Sequence, residues 1–239
     1  MFKRLAISGA VLMLAASANA QVGPYNSAEL IVKGRILPSP CGLSLAGGGL
    51  ADYGDLPNAL VKAWPVVGAG ALARYEVPVA QAKTVPLTVN CDAPALFALS
   101  FNDNRITTVS PALPTRFGLG QYSPVGGAVV SIGSYFLGYQ NLTVQTAIGT
   151  LFQQPTTRLI NNPIPGSTPW TTAVGEQNLF ISSGKSLAFS LQILGKVPQS
   201  LTAVRANLVV SVAPLQSVVN LALTPIEFNG STTITLLGI

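Results

Sequence analysis

Few residues in this chain have the types and spacing that chemistry needs. Ser182 and Lys185 stand in an S-x-x-K spacing, in which a lysine can activate a serine nucleophile, but the S-D-N and K-T-G triplets that complete such machinery are absent. Gly184-Lys185-Ser186 ends like a phosphate loop, yet the glycine required five positions earlier is Leu179. The stretch reads instead as a surface turn leading into a strand. Asn102-Asp103-Asn104-Arg105 offers oxygen ligands close together. A calcium loop needs more carboxylates at fixed spacing and a closing bidentate acid, so the expectation here is a turn, which Asn and Asp favour by bonding their own backbone. The eight acidic residues are Glu29, Asp52, Asp55, Glu76, Asp92, Asp103, Glu176 and Glu227, and no two share a context that marks a glycosidase pair. There is no histidine, which removes the usual neutral-pH base, the usual zinc ligand and every Ser-His or Cys-His pairing. No catalytic, metal or cofactor residue is therefore expected, and the chain reads as non-enzymatic.

The 239 residues are 49% hydrophobic and 9% charged, against about a quarter charged in an ordinary domain. So many apolar residues exclude disorder and can fill a sizeable core. Lys3 and Arg4, the apolar run from Leu5 to Ala16 and Ala18-Asn19-Ala20 form the three regions of a secretory signal peptide, assigned to residues 1–20. No later stretch is long and apolar enough for a spanning helix, so no membrane insertion is expected. Without Lys3 and Arg4 the formal charge falls from +5 to +3, and no Lys/Arg cluster follows, which argues against a nucleic-acid partner. In an oxidising compartment Cys41 and Cys91 should form a disulfide, since neither has a second cysteine or a histidine nearby to build a metal or catalytic site.

What would position any such residues is a set of β-strands. Period-two alternation recurs at Leu30/Val32/Ile36, Val85/Leu87/Val89/Cys91, Phe97/Leu99/Phe101, Leu142/Val144, Leu187/Phe189/Leu191/Ile193, Ala206/Leu208/Val210/Val212 and Thr232/Ile234/Leu236. Cys91 should face the core. No window gives a convincing amphipathic helix; Ala59 to Ala73 comes nearest and is broken by Pro65 and two glycines. From Asp103 to Gly175 the pattern loosens among many prolines, which reads as a long insertion. The expectation is an all-β, immunoglobulin-like sandwich with one disulfide and a Pro-rich insertion, residues 21–239 forming a single domain.

Several segments carry a resemblance. Val32-Lys33-Gly34-Arg35-Ile36-Leu37-Pro38-Ser39-Pro40-Cys41 and Val85-Pro86-Leu87-Thr88-Val89-Asn90-Cys91 resemble the strands that end at the paired cysteines of chaperone–usher fimbrial (pilin) subunits. Pro38-Ser39-Pro40-Cys41, Asp52-Tyr53-Gly54, Asn90-Cys91-Asp92-Ala93-Pro94, Phe101-Asn102-Asp103-Asn104-Arg105, Phe117-Gly118-Leu119-Gly120 and Asn229-Gly230-Ser231 are similar to a family of secreted, fimbrial-like proteobacterial β-proteins of unknown function. The resemblance implies a structural or adhesive subunit whose sandwich lacks its last strand. A periplasmic chaperone, and then a neighbouring subunit delivered by the usher, would complete it by strand addition. It also implies passage through the periplasm to a fimbrium on the cell surface, with a host-surface receptor as a further partner. By position, Ile234 and Leu236 would meet the added strand, and the carboxylate of Ile239 would anchor to the chaperone. The chain departs from fimbrial subunits in having Gly238 where they carry a penultimate tyrosine. Gln21 to Ser27 is also a short donor segment, so the chain either accepts a strand and donates a poor one or is complete by itself. The rival readings are a self-contained secreted β-sandwich that binds carbohydrate or another surface ligand, and, more weakly, an outer-membrane barrel.

Overall fold

The structure is a computed structural model, and it describes residues 33, 41–113, 115–147, 157–161, 170–172, 181, 183–190 and 197–239. The signal peptide expected at 1–20, the segment 21–27, most of the strand expected at 28–37, and Leu191 and Ile193 lie outside the described residues, as does Ser182. The chain divides between Leu37 and Pro38, and everything described from Cys41 onward belongs to the second unit.

That unit is built on two five-stranded sheets. The first runs in the order β1 (Cys41–Leu45), β4 (Lys83–Ala95), β13 (Leu201–Pro214), β9 (Gly133–Gln145) and β6 (Phe117–Gly118). The second runs β11 (Thr171–Thr172), β10 (Thr157–Asn161), β12 (Lys185–Ser190), β5 (Phe97–Asp103) and β14 (Thr232–Gly238). Two small ribbons, β2 (Val66–Val67) with β3 (Arg74–Tyr75) and β7 (Gln121–Tyr122) with β8 (Val130–Ser131), flank them. Every pairing within the sheets is antiparallel. The expected all-β sandwich with one disulfide is what the chain forms.

Alternation explains which faces are buried. In β4, Val85, Leu87 and Val89 are buried while Thr84, Pro86 and Asn90 are exposed. Each such side chain contributes about 1.5–3 kcal/mol on leaving water. Cys91 continues that face and packs against the core at partial burial, joined to Cys41 directly opposite it in register, with the Cα atoms 4.0 Å apart.

Two expectations need correction. The stretch read as a loosened insertion contains β9, a central strand of the first sheet paired to both β13 and β6. The expected alternation at Leu142/Val144 is the end of this strand; Gly133 to Tyr139 are all buried, so both faces of its first half are covered and the sequence there lacks the polar alternation that would have revealed it. Near its end, Arg205 faces Thr143 while Asn207 faces Gln140, a bulge in which Asn141 takes φ 52°, a region that asparagine tolerates. The chain also holds two short helices, α1 (Asn58–Lys62) and α2 (Gln216–Leu221). Five and six residues are too few to show an apolar period. Asn58 Nδ2 donates to the Val219 carbonyl at 3.0 Å and so ties the two helices together. No helix among the described residues is long and apolar enough to cross a membrane.

Candidate functional site: an open sheet edge and the junction that holds it

In chain order, β1, β4, β5, β9, β13 and β14 take the places of strands A, B, C, D, E and F of an immunoglobulin-type sandwich, with A-B-E-D in one sheet and C beside F in the other. The seventh strand would lie against β14. Among the described residues β14 pairs only with β5, through Thr232↔Asp103 to Gly238↔Phe97, and its second edge has no partner. Ile234 and Leu236 point inward but are only half-buried, as are Leu43 and Leu45 of β1 across the cleft. The core is thus thinly covered along the line between the first and last strands. A cavity of about 780 Å³ lies between residues 50–56 after β1 and Ala222 with residues 224–228 ahead of β14. Val61 and Val219 also line it, and Asp52, Asp55 and Glu227 are its charged groups. Tyr53 and Phe228 meet edge to face at 6.5 Å, and the Tyr53 hydroxyl donates to the Val210 carbonyl at 2.7 Å. Ile239 is 36% exposed, and its N–H donates to the Leu96 carbonyl at 3.3 Å.

The segments singled out in the sequence converge just ahead of β14. Asp103 continues the inward face of Phe97, Leu99 and Phe101, so its carboxylate is buried at 4% exposure rather than lying in an open turn. The turn itself is Asn104–Arg105. Asp103 Oδ1 accepts from the Arg105 N–H and Oδ2 from the Gly118 N–H, both at 2.8 Å. Gly118 admits no side chain, because a Cβ there would lie 2.1 Å from the Arg105 carbonyl oxygen and 2.3 Å from Thr108 Oγ1. On the other side Asn104 holds the approach to β14: its N–H donates to the Ser231 carbonyl at 3.0 Å and its Nδ2 to Ser231 Oγ at 2.9 Å. Arg105 Nη2 donates to Asn229 Oδ1 at 3.2 Å, and the Asn229 N–H donates to the Leu119 carbonyl at 2.9 Å. Tyr135, stacked on Phe117, shares a short hydrogen bond with Thr232 at the first position of β14. Chemically the junction is a clamp: it fixes the register of the edge strand, and each carboxylate oxygen of Asp103 accepts a backbone N–H within it. Sequence reading missed this role for Asp103, though the phase of the alternation in β5 carried the signal. Lys185 opens β12 after a turn at Gly184 (φ 71°), as expected.

The clamp also titrates. Burial pushes the Tyr135 phenol up to about 12, with the Asp103 carboxylate acting in the same direction and the Thr232 hydrogen bond opposing them. An unfolded tyrosine ionises near 10, so the unfolded chain loses this proton first. Stability is unaffected by this group below pH 10 and falls between pH 10 and about 12, by roughly 2–3 kcal/mol in all. Tyr135→Phe should flatten that part of the curve, measured by urea unfolding from pH 8 to 11.5; parallel curves for the two proteins would contradict it.

Fold and junction together define the class, a disulfide-bonded β-sandwich with a clamped last strand that, among the described residues, is paired on one edge only. Residues 30–151 match the family described as Protein of unknown function (DUF1120), and the chain belongs to that family. No curated protein and no solved structure matches it. The matched span holds both cysteines, Asp103 and Gly118, while Asn229–Ser231 and β14 lie beyond it.

Proposed function

We propose that the protein is a structural or adhesive subunit of a chaperone–usher type fimbria, assembled by strand addition and without catalysis. The observation that carries this reading is the edge of β14 that, among the described residues, has no partner, beside half-buried Ile234 and Leu236. A strand laid there would take up main-chain hydrogen bonds along the edge and insert alternate side chains into the cleft. Left unpaired, such an edge is an aggregation hazard, which supports the need for a chaperone before assembly. On this reading residues 1–20 direct export, the periplasmic chaperone receives β14 and the carboxylate of Ile239, and the usher exchanges the chaperone for the next subunit at the cell surface. A self-contained secreted binding module is the second reading, favoured by the cavity beside Tyr53 and Phe228.

Periplasmic co-expression with a fimbrial chaperone tests the first. The chain should leave size-exclusion chromatography as a one-to-one complex, with more soluble protein than when expressed alone. Leu236→Asp, which puts a charge on the cleft face, should cut complex yield at least tenfold, whereas Thr235→Asp on the opposite face should leave it. A stable monomer indifferent to the chaperone would overturn the proposal and favour the binding module.

A further inference from the structure

Away from the cleft, two guanidinium groups are buried with too few partners. Arg116, just ahead of β6, is 2% exposed. Its Nη1 donates to Ser134 Oγ at 2.8 Å and its Cζ lies 3.9 Å above the Phe136 ring, but its Nε has no hydrogen bond. Arg74 in β3 is 9% exposed, and its Nε is likewise unpartnered. Among the described residues its one ionic contact is long, Nη2 to Glu76 Oε2 at 3.8 Å. The two arginines share a neighbourhood: Arg74 bridges to Leu215, the Leu215 N–H donates to the Ile132 carbonyl, and Arg116 is bonded two residues further on, at Ser134. The Arg116 guanidinium feels the charges of Arg74 and Glu76. Because Tyr135 faces the core, Ser134 and Phe136 lie on the outward face of β9, and the patch sits there.

With a single distant carboxylate among the described residues, two buried cations leave positive charge uncompensated, a costly arrangement in a protein interior. A water molecule can satisfy an N–H but not the charge. We propose that the Arg74–Arg116 patch binds one small oxyanion, a phosphate, sulfate or carboxylate. With Nη1 committed to Ser134, Arg116 keeps its Nε–Nη2 edge, whose two parallel N–H bonds match two oxygens of such a group. Arg74 Nε is a further donor. Gly68, at φ 85°, gives this guanidinium its room, since a Cβ there would stand 3.1 Å from Arg74 Nη1. The site faces away from the β14 edge, so it stands or falls independently of the assembly reading.

Titration calorimetry of the complete chain with inorganic phosphate, sulfate and acetate, at constant ionic strength set by chloride, tests the assignment. One saturable site per chain is expected, with a rise in melting temperature of about 5 °C or more at saturation. Preference for phosphate or sulfate assigns an inorganic oxyanion, and preference for acetate a carboxylate-bearing ligand. Arg116→Met keeps the buried stem and removes the charge; it should bind at least tenfold more weakly while melting no lower in anion-free buffer. Should that variant not fold, Arg74→Gln takes its place with the same expected loss. Absence of saturable binding, or equal binding by the wild type and a folded variant, would overturn the proposal.

Discussion

Asp103→Ala should destabilise the protein by about 3 kcal/mol or more. The substitution deletes the acceptor of two charge-assisted hydrogen bonds and leaves the Arg105 and Gly118 N–H groups without a partner, one of them fully buried. Each unmet donor costs roughly 1–3 kcal/mol. The consequence should be local as well as global, because Asn104 and Arg105 reach Ser231 and Asn229 from the turn that Asp103 holds. Urea unfolding gives the global term. A loss under 1 kcal/mol would mean that the clamp on β14 does not depend on this carboxylate. Asp103→Asn is the informative companion, since it retains one acceptor and should recover part of the loss.

Reduction of the disulfide, or Cys41→Ser, should cost about 4 kcal/mol on the chain-entropy account for a loop of 50 residues. The bond joins β1 to β4 at the end of the sheet where β1 begins, and among the described residues β1 has no second neighbour in its sheet. Half-buried Leu43 and Leu45 give β1 weaker packing than the central strands. The covalent link therefore substitutes for packing, and its loss should free β1 and lower the soluble periplasmic yield. Thermal melting with and without reductant checks this; unchanged melting and unchanged yield would contradict it.

How much of this was legible in the sequence depends on how many faces of each element are buried. β4, β5 and β14 alternate because each has one face toward the core, and their apolar sets were readable residue by residue. β9 was readable only at Leu142/Val144, because earlier in the strand Tyr135 and Leu137 enter the core while Ser134 and Phe136 are buried on the opposite face. Asp103 was legible as a polar residue but read as a turn; only its phase with Phe97, Leu99 and Phe101 marks it as a buried acceptor. Gly118 could not be told from any turn glycine, since the contact that forbids a side chain comes from Arg105 and Thr108, on a separate loop. The cysteine pair was legible from count and compartment alone. The open edge was not, because alternation in Thr232/Ile234/Leu236 describes a strand without saying how many neighbours it has. The Arg116 site was equally hidden: a lone basic residue before a strand reads as surface until Phe136 and Ser134 are brought beneath it.

The most direct test of the central claim is amide hydrogen exchange along β14, resolved by residue, in the chain alone and in its one-to-one complex with a fimbrial chaperone. The account predicts alternation in the chain alone, with N–H groups bonded to β5 protected and those on the open edge exchanging orders of magnitude faster. In the complex all of them should become slow. Uniform protection from Thr232 to Gly238 in the isolated chain, at the level of β13, would mean that the edge is already paired, and would contradict the account.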